Sequence, residues 1–215
     1  MTWQNSRSSG ARPSPSRSRR SRSTRCATAV FITARKIRSL QRSSPTRFLT
    51  PALARFTGWA LFCDCDFLWL GDIAGLLPHT QSDKAVFCVQ HDYVPKEATK
   101  MDGAVQTVYP RKNWSSLMLF NCAHPSVRTL TPECVNTRTG AYLHRMQWVA
   151  DADIGALPVT WNWLEGWNEK PASGLPQAVH FTRGGPWFEK WQHVDYGDLW
   201  REEFAAMTLA TTSRA

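Results

Sequence analysis

No stretch of the 215-residue chain holds the run of about 18 apolar residues that a membrane-spanning helix needs, so none is expected. A secretory leader is missing too: Arg and Ser persist to Thr24, and the apolar run Ala27 to Thr33 is too short and too late to serve as one. The six cysteines (Cys26, Cys63, Cys65, Cys88, Cys122, Cys134) contain no C-x-x-C pair and sit mostly among apolar neighbours. Buried, reduced thiols in a cytoplasmic protein are the expectation, rather than zinc ligands or disulfides. No internal repeat is visible, which excludes a solenoid or propeller.

Asp and Glu are absent from Met1 to Arg47, a segment that carries eleven Arg and one Lys, a charge of +12. The other 168 residues hold 14 basic and 17 acidic groups, a charge of −3. The net charge of +9 therefore belongs to the N-terminal segment and says nothing of what the rest of the chain binds. Residues 1–43, with their Arg/Ser repeats, bury too little apolar surface to offset ordering entropy, so they are expected to be disordered, with at most a short helix or strand near Ala29 to Leu40. Three readings of this segment stay open: a transit peptide, an RNA-binding tail, and coding sequence from a displaced start or shifted frame. The change of composition at Ser44-Pro45 favours the third.

What is present beyond Arg47 is the material of one α/β domain: 42% hydrophobic residues overall, eleven of them Trp. Arg47 to Phe56 reads as helical around Pro51. Trp59 to Cys63 is a continuous apolar run of strand length, as expected of a strand covered on both faces. Further strands are expected at Ala85 to Gln90, Ser116 to Asn121, Val159 to Trp163 and Ala178 to Phe181. Helices are expected at Pro132 to Asn136, Pro186 to Gln192 and Tyr196 to Met207.

The sharpest chemical feature is Asp64-Cys65-Asp66, placed directly after the first of these strands in GWALFCDCDFLWLGDI. In extended chain residues i and i+2 point the same way, so both carboxylates can converge on one divalent cation while Cys65 turns into the core. The end of a strand is also where open α/β sheets bind ligands. Asp72, just beyond, is placed to cap a helix. WALFCDCDFLWLGDIAGLL resembles the aspartate-x-aspartate segment of GT-A glycosyltransferases, particularly family 8 and related enzymes of the glycogenin and lipopolysaccharide-galactosyltransferase type. The resemblance implies that Asp64 and Asp66 hold Mn²⁺ (or Mg²⁺) on a donor diphosphate and carry the catalytic role.

Three more segments follow in family order, so that the likeness covers about Ser44 to Trp200. AVHFTRGGPW, residues 178–187, is similar to the family's C-terminal element, which makes His180 the third metal ligand and Arg183, Gly184 and Gly185 donor contacts. The family often has Lys where Gly185 stands, and Arg183 is the substitute. NWSSLMLFN, residues 113–121, nominates Asn113, Ser115 and Ser116 as donor-sugar contacts, with Lys112 beside them read as a solvated side chain or a phosphate contact. LPVTWNW, residues 157–163, nominates Asn162 for the acceptor, as strand-end position does His91 and Asp92. The acidic Asp-Gln-Asp element that usually precedes this strand is absent, Leu143 to Met146 lying there instead.

The resemblance implies an α/β protein of the GT-A type, a Rossmann-like mixed sheet flanked by helices. The strands that open this fold in the family are not found in residues 1–43, so the domain is expected to be N-terminally incomplete. The expected domains are 1–43 (an Arg/Ser-rich segment), 44–207 (catalytic) and 208–215 (a flexible tail). The implied function is Mn-dependent hexosyl transfer, with retention at the anomeric carbon, from a nucleotide-sugar, a UDP-sugar above all, to a saccharide or lipid-linked acceptor. Alternatives are a truncated, inactive relative or a basic RNA-binding protein, although nucleic acid is not the expected partner. The expected location is cytoplasmic or peripheral at an inner membrane surface.

Overall fold

The computed structural model describes residues 45–92 and 110–212, with side chains as far as residue 209. The expectations for residues 1–43 and for Cys26 lie outside the described residues. A 3-10 helix, Pro45–Leu49, runs into α1 (Thr50–Leu53), which has Pro51 in its first turn, where a missing N–H costs nothing. The apolar run that follows is β1 (Trp59–Cys63), and after a turn come β2 (Phe67–Trp69), a 3-10 helix Ile73–Gln81, and β3 (Val86–Cys88). Then follow β4 (Leu117–Asn121), three short helices α2 (Pro125–Arg128), α3 (Pro132–Thr137) and α4 (Gly140–His144), and β5 (Ile154–Ala156). The remaining elements are β6 (Trp163–Leu164), β7 (Ala178–His180) and the terminal helix α5 (Gly197–Thr212).

The strands form two mixed sheets, one of order β1-β4-β3-β5 and a smaller one of order β2-β7-β6. In the larger, β4 runs antiparallel to both β1 and β3, and β3 runs parallel to β5. Side chains alternate to two faces, and both are apolar. Ala60, Phe62, Val86, Cys88, Met118 and Phe120 pack with Phe48, Val127, Leu130 and Leu143 on the helical side. Leu61, Phe87, Leu117 and Leu119 pack with Leu76, Leu157 and Trp161 on the other. This accounts for the lack of polar alternation in the sequence of β1 and β4.

Capping fixes the short helices. Thr131 and Thr139 accept hydrogen bonds from Cys134 N and Tyr142 N at the starts of α3 and α4, and His124 Nδ1 does the same for Ser126 N at α2. Asp72 caps the 3-10 helix as expected, accepting from Ala74 N at 2.8 Å. Among the described residues no helix is long and apolar enough to cross a membrane.

Several elements differ from the sequence expectation. Val159–Asn162 is a 3-10 helix, with strand resuming at Trp163. The cause is Pro158, whose carbonyl accepts from Trp161 N at 3.0 Å and closes a turn where an extended chain was expected. The helix expected over Pro186 to Gln192 shrinks to a 3-10 turn at Glu189–Trp191, and α5 continues past Met207 to Thr212. β2, β5, α2 and α4 were not foreseen: the strands have three residues each, and the helices are set by caps rather than by periodicity.

Phe120 is fully buried in the middle of β4, facing Trp148. Phe120→Ala should lower the unfolding free energy by about 3–5 kcal/mol, read as a reduced denaturant midpoint with unchanged m-value.

Candidate functional site

The turn that joins β1 to β2 passes from the larger sheet to the smaller one, and it consists of Asp64-Cys65-Asp66. Its two ends are fixed by backbone pairing. Asp64 N donates to Ser116 O at 2.8 Å on the β4 side, and Phe181 N donates to Asp66 O at 2.9 Å on the β7 side. Because Phe67 lies opposite His180 in the β2–β7 register, Asp66 arrives beside the His180 ring. One ligand atom from each of Asp64, Asp66 and His180 lies within 4.8 Å of the others. His180 Nε2 is 3.4 Å from Asp66 Oδ1, an oxygen shielded from solvent that has no hydrogen-bond partner.

The turn is not extended as the sequence suggested, and this corrects the placement of Cys65. Its side chain is exposed rather than in the core. The carboxylates converge because the chain reverses between two sheets, not because i and i+2 share a face.

A residue that sequence reasoning missed completes the cluster. Arg47, in the first 3-10 helix, holds Asp64 through two nitrogens, Nη2 to Oδ1 at 2.8 Å and Nη1 to Oδ2 at 3.0 Å. The same Nη1 donates to Ser115 O at 2.8 Å, and the guanidinium lies over the Phe62 ring. Burial raises the Asp64 pKa above the ordinary carboxylate value, although Arg47 opposes it. At Asp66 burial is again the largest influence and acts in the same direction, but His180, a backbone hydrogen bond and Arg47 together outweigh it, and the pKa falls below the ordinary value.

His180 is buried, and its ring stacks on Phe67 with centroids 4.5 Å apart. Its Nδ1 lies 3.0 Å from Asn162 Oδ1. Asn162, expected at the acceptor, is 0% exposed and uses both ends of its amide inside the protein, Nδ2 lying 2.8 Å from Ser116 Oγ and 3.4 Å from Asn113 O. It faces His180, not solvent.

The nominated donor contacts separate. Ser116 points toward Asn162, whereas the Ser115 hydroxyl turns to the opposite side and meets His144 Nδ1 at 2.8 Å, in the core beside Phe48. Asn113 adopts a left-handed backbone (φ 66°), and its Nδ2, shielded from solvent, has no partner. Lys112, read as a solvated side chain or a phosphate contact, is buried, which removes the first of these, and Arg111 beside it pairs with Asp151.

Arg183 bonds Glu165 at 3.0 Å and lies over the Trp191 ring. Gly184 has a positive φ of 139°. At Gly185 a Cβ would come within 2.0 Å of the Trp187 ring, so the missing side chain there makes room for an aromatic ring.

His91 and Asp92 follow β3 and line a cavity of about 360 Å³ with Gln90, Trp167 and Asn168. His91 is 8% exposed, and its Nε2 has no partner. Burial first, and then neighbouring His180, hold its pKa down at about 3, so the ring is neutral at physiological pH.

No protein-family model matches the chain. Over 161 residues it is 59% identical to "Protein CDI" of Arabidopsis thaliana, an alignment that takes in 74% of this chain and spans 62% of the length of that relative. Among solved structures it is similar to the WbbM bifunctional glycosyltransferase, with a TM-score of 0.51 at 18% identity over 75% of this chain and 35% of that one. An active-site mutant of LgtC gives a TM-score of 0.53 at 11% identity, covering 81% of this chain and 70% of that one. The apo form of the glycosyltransferase GlyE of Streptococcus pneumoniae TIGR4 gives 0.50 at 15%, covering 73% and 41%. The fold is that of the GT-A glycosyltransferases. Within this GT-A fold, Asp64, Asp66 and His180 lie where β1 and β7 end, at the seam of the two sheets.

Two predictions follow from the cluster's packing. Arg47→Ala leaves a largely buried carboxylate unpaired and should destabilise the protein by about 3 kcal/mol in chemical denaturation, a loss that Arg47→Ala/Asp64→Asn partly restores. In native protein, alkylation at pH 8 should modify Cys65, and more slowly than a peptide thiol, since burial and the flanking carboxylates raise its pKa. Cys88 and Cys122, pushed up by burial to about 12 and about 11, should react only after denaturation, as read by peptide mass mapping.

Proposed function

We propose that this chain is a metal-dependent glycosyltransferase that moves a hexose from a nucleotide-sugar, a UDP-sugar in our reading, to a saccharide or lipid-linked acceptor. The observation that carries the reading is the convergence of Asp64, Asp66 and His180, held together by strand pairing in a GT-A fold. The residues suit a divalent cation: two carboxylates and an imidazole, one carboxylate oxygen lacking any hydrogen-bond partner. Carboxylate and imidazole ligands favour Mn²⁺ over Mg²⁺. Bound there, the cation would supply Lewis-acid neutralisation of the departing nucleoside diphosphate.

The chain's own residues then have distinct tasks. Asp64 is oriented by Arg47, and the Phe67 ring keeps the His180 imidazole in plane. Asn113, with its unpartnered amide, is the donor-sugar contact we favour from the set that included Ser115 and Ser116. His91 and Asp92 are assigned to the acceptor: the cavity they line joins a carboxylate and amides to Trp167, groups that suit sugar hydroxyls and the apolar face of a sugar ring. Arg183 is tied to Glu165, so a role in phosphate binding requires it to exchange that partner. The free thiols of the five described cysteines support a reducing, cytoplasmic location.

A second reading, a folded relative without activity, is favoured by Arg47, which already bonds both oxygens of Asp64. Titration calorimetry of the full chain separates the two. Mn²⁺ and UDP should bind the native protein, and Asp64→Asn and Asp66→Asn should each weaken Mn²⁺ binding by about tenfold or more. A folded wild type that binds neither, or variants that bind as well as it does, would end the catalytic reading.

A further inference from the structure

The hydrogen bonds behind His180 determine which of its nitrogens carries the proton. Asn113 O is a carbonyl oxygen and can only accept. Ser116 Oγ lies 2.6 Å from it and must therefore spend its single hydrogen on that bond. Toward Asn162, at 2.8 Å, the same hydroxyl has only lone pairs left to offer, so the amide end that meets it is the donor Nδ2. Asn113 O, 3.4 Å from Nδ2, adds a second acceptor on that side. The opposite amide orientation would set Asn162 Oδ1 against the Asn113 carbonyl oxygen, two acceptors facing one another.

Asn162 Oδ1 consequently faces His180 Nδ1 at 3.0 Å, and it can only accept. Nδ1 carries a hydrogen. In the neutral ring Nε2 is then bare, and it looks toward Asp66 Oδ1 at 3.4 Å. In that form two electron-rich atoms face each other, a conflict that either a second ring proton or a cation held between them removes. Asn162 and Ser116 are 0% and 2% exposed, so water does not compete for these bonds. The left-handed backbone of Asn113 aims its carbonyl into the network, which gives that strained conformation a purpose.

We propose that Asn162, oriented by Ser116 and the Asn113 carbonyl, is a positioning residue that fixes His180 as its Nδ1–H tautomer and so presents the Nε2 lone pair to the cation shared with Asp64 and Asp66. The tautomer stands on the hydrogen bonds alone, and the second half rests on the metal reading above. A histidine free in water prefers the Nε2–H form, which cannot ligate through Nε2. The network thus overrides an intrinsic preference in favour of the ligating form.

The test is a long-range ¹H–¹⁵N correlation spectrum of the full chain, labelled with ¹⁵N-histidine, at pH 8 without metal, followed by Mn²⁺ titration. Wild type should give the Nδ1–H pattern for His180. Asn162→Leu should lose it and bind Mn²⁺ about 10–100-fold more weakly. Asn162→Asp, which still accepts from Nδ1–H but sets a carboxylate oxygen against the Asn113 carbonyl, should keep the Nδ1 hydrogen at a cost in stability. Should Asn162→Leu not fold, Ser116→Ala serves instead: without the hydroxyl the amide loses its main orienting partner, and a fraction of Nε2–H should appear. An Nε2–H spectrum in wild type overturns the tautomer assignment whatever the metal does. Wild-type binding matched by Asn162→Leu overturns the positioning role. A wild type that shows Nδ1–H yet binds no Mn²⁺ supports the tautomer and overturns the metal reading together with the second half of the proposal.

Discussion

Asp66 and His180 are separated by more than a hundred residues, and what joins them is the antiparallel pairing of two three-residue strands. The bond from Phe181 N to Asp66 O closes that pairing at the end where the turn begins. Slipping the register by one residue would turn His180 to the other face of the smaller sheet and leave the carboxylates facing the core cluster of Leu68, Trp163, Val179 and Phe181. The apolar side chains of that cluster hold the register, so the site depends on packing that involves none of its own polar atoms. β6 contributes as well: it runs parallel to β7, with Leu164 opposite His180, and its preceding turn delivers Asn162 to the back of the imidazole.

Charge is distributed across this seam in layers. Two carboxylates near each other at the end of an apolar strand would repel, and the fold sets one arginine on Asp64 and one imidazole beside Asp66. The two partners differ in kind. Arg47 is permanently charged and makes a two-pronged contact that leaves little freedom for Asp64. His180 instead meets Asp66 through a single ring nitrogen at 3.4 Å. The pKa directions of the two carboxylates are opposed: burial prevails at Asp64 despite Arg47, while at Asp66 His180, a backbone hydrogen bond and Arg47 together overcome it.

Much of this was legible in the chain because its signals are local. An unbroken apolar run ending in Asp-x-Asp marks a strand with carboxylates at its tip, and the family order of the later segments pointed to His180. Arg47 was not legible, since it closes a run of eleven arginines whose shared composition hides the one that folds back onto Asp64. Cys65 was misplaced because a triplet that spans two sheets must turn, and the second strand, Phe67–Trp69, is too short to show in a pattern of period two. The strand expected at Val159 gives way to a turn that starts at Pro158, because the Pro158 carbonyl accepts from Trp161 N. The role of Asn162 was out of reach because it depends on the direction of the Asn113 carbonyl, a backbone property set by tertiary structure.

Gly185 illustrates how packing and chemistry compete for one position. A lysine there would carry charge toward a diphosphate, but any side chain would displace the Trp187 ring, which meets Phe181 edge-on and Trp200 at 5.4 Å. Trp200 in turn stacks on Phe204, so the ring next to Gly185 is the first member of an aromatic series that fastens α5 to the domain. Here the sequence gives up a cation near the site in exchange for a docked terminal helix. The remaining positive charge of the loop, Arg183, is engaged with Glu165 and Trp191 on the side of Gly166, where a Cβ would strike its guanidinium at 1.7 Å. If the chain takes a nucleotide-sugar as proposed, neutralising its diphosphate falls more heavily on an ion held by Asp64, Asp66 and His180 than in a site backed by a lysine.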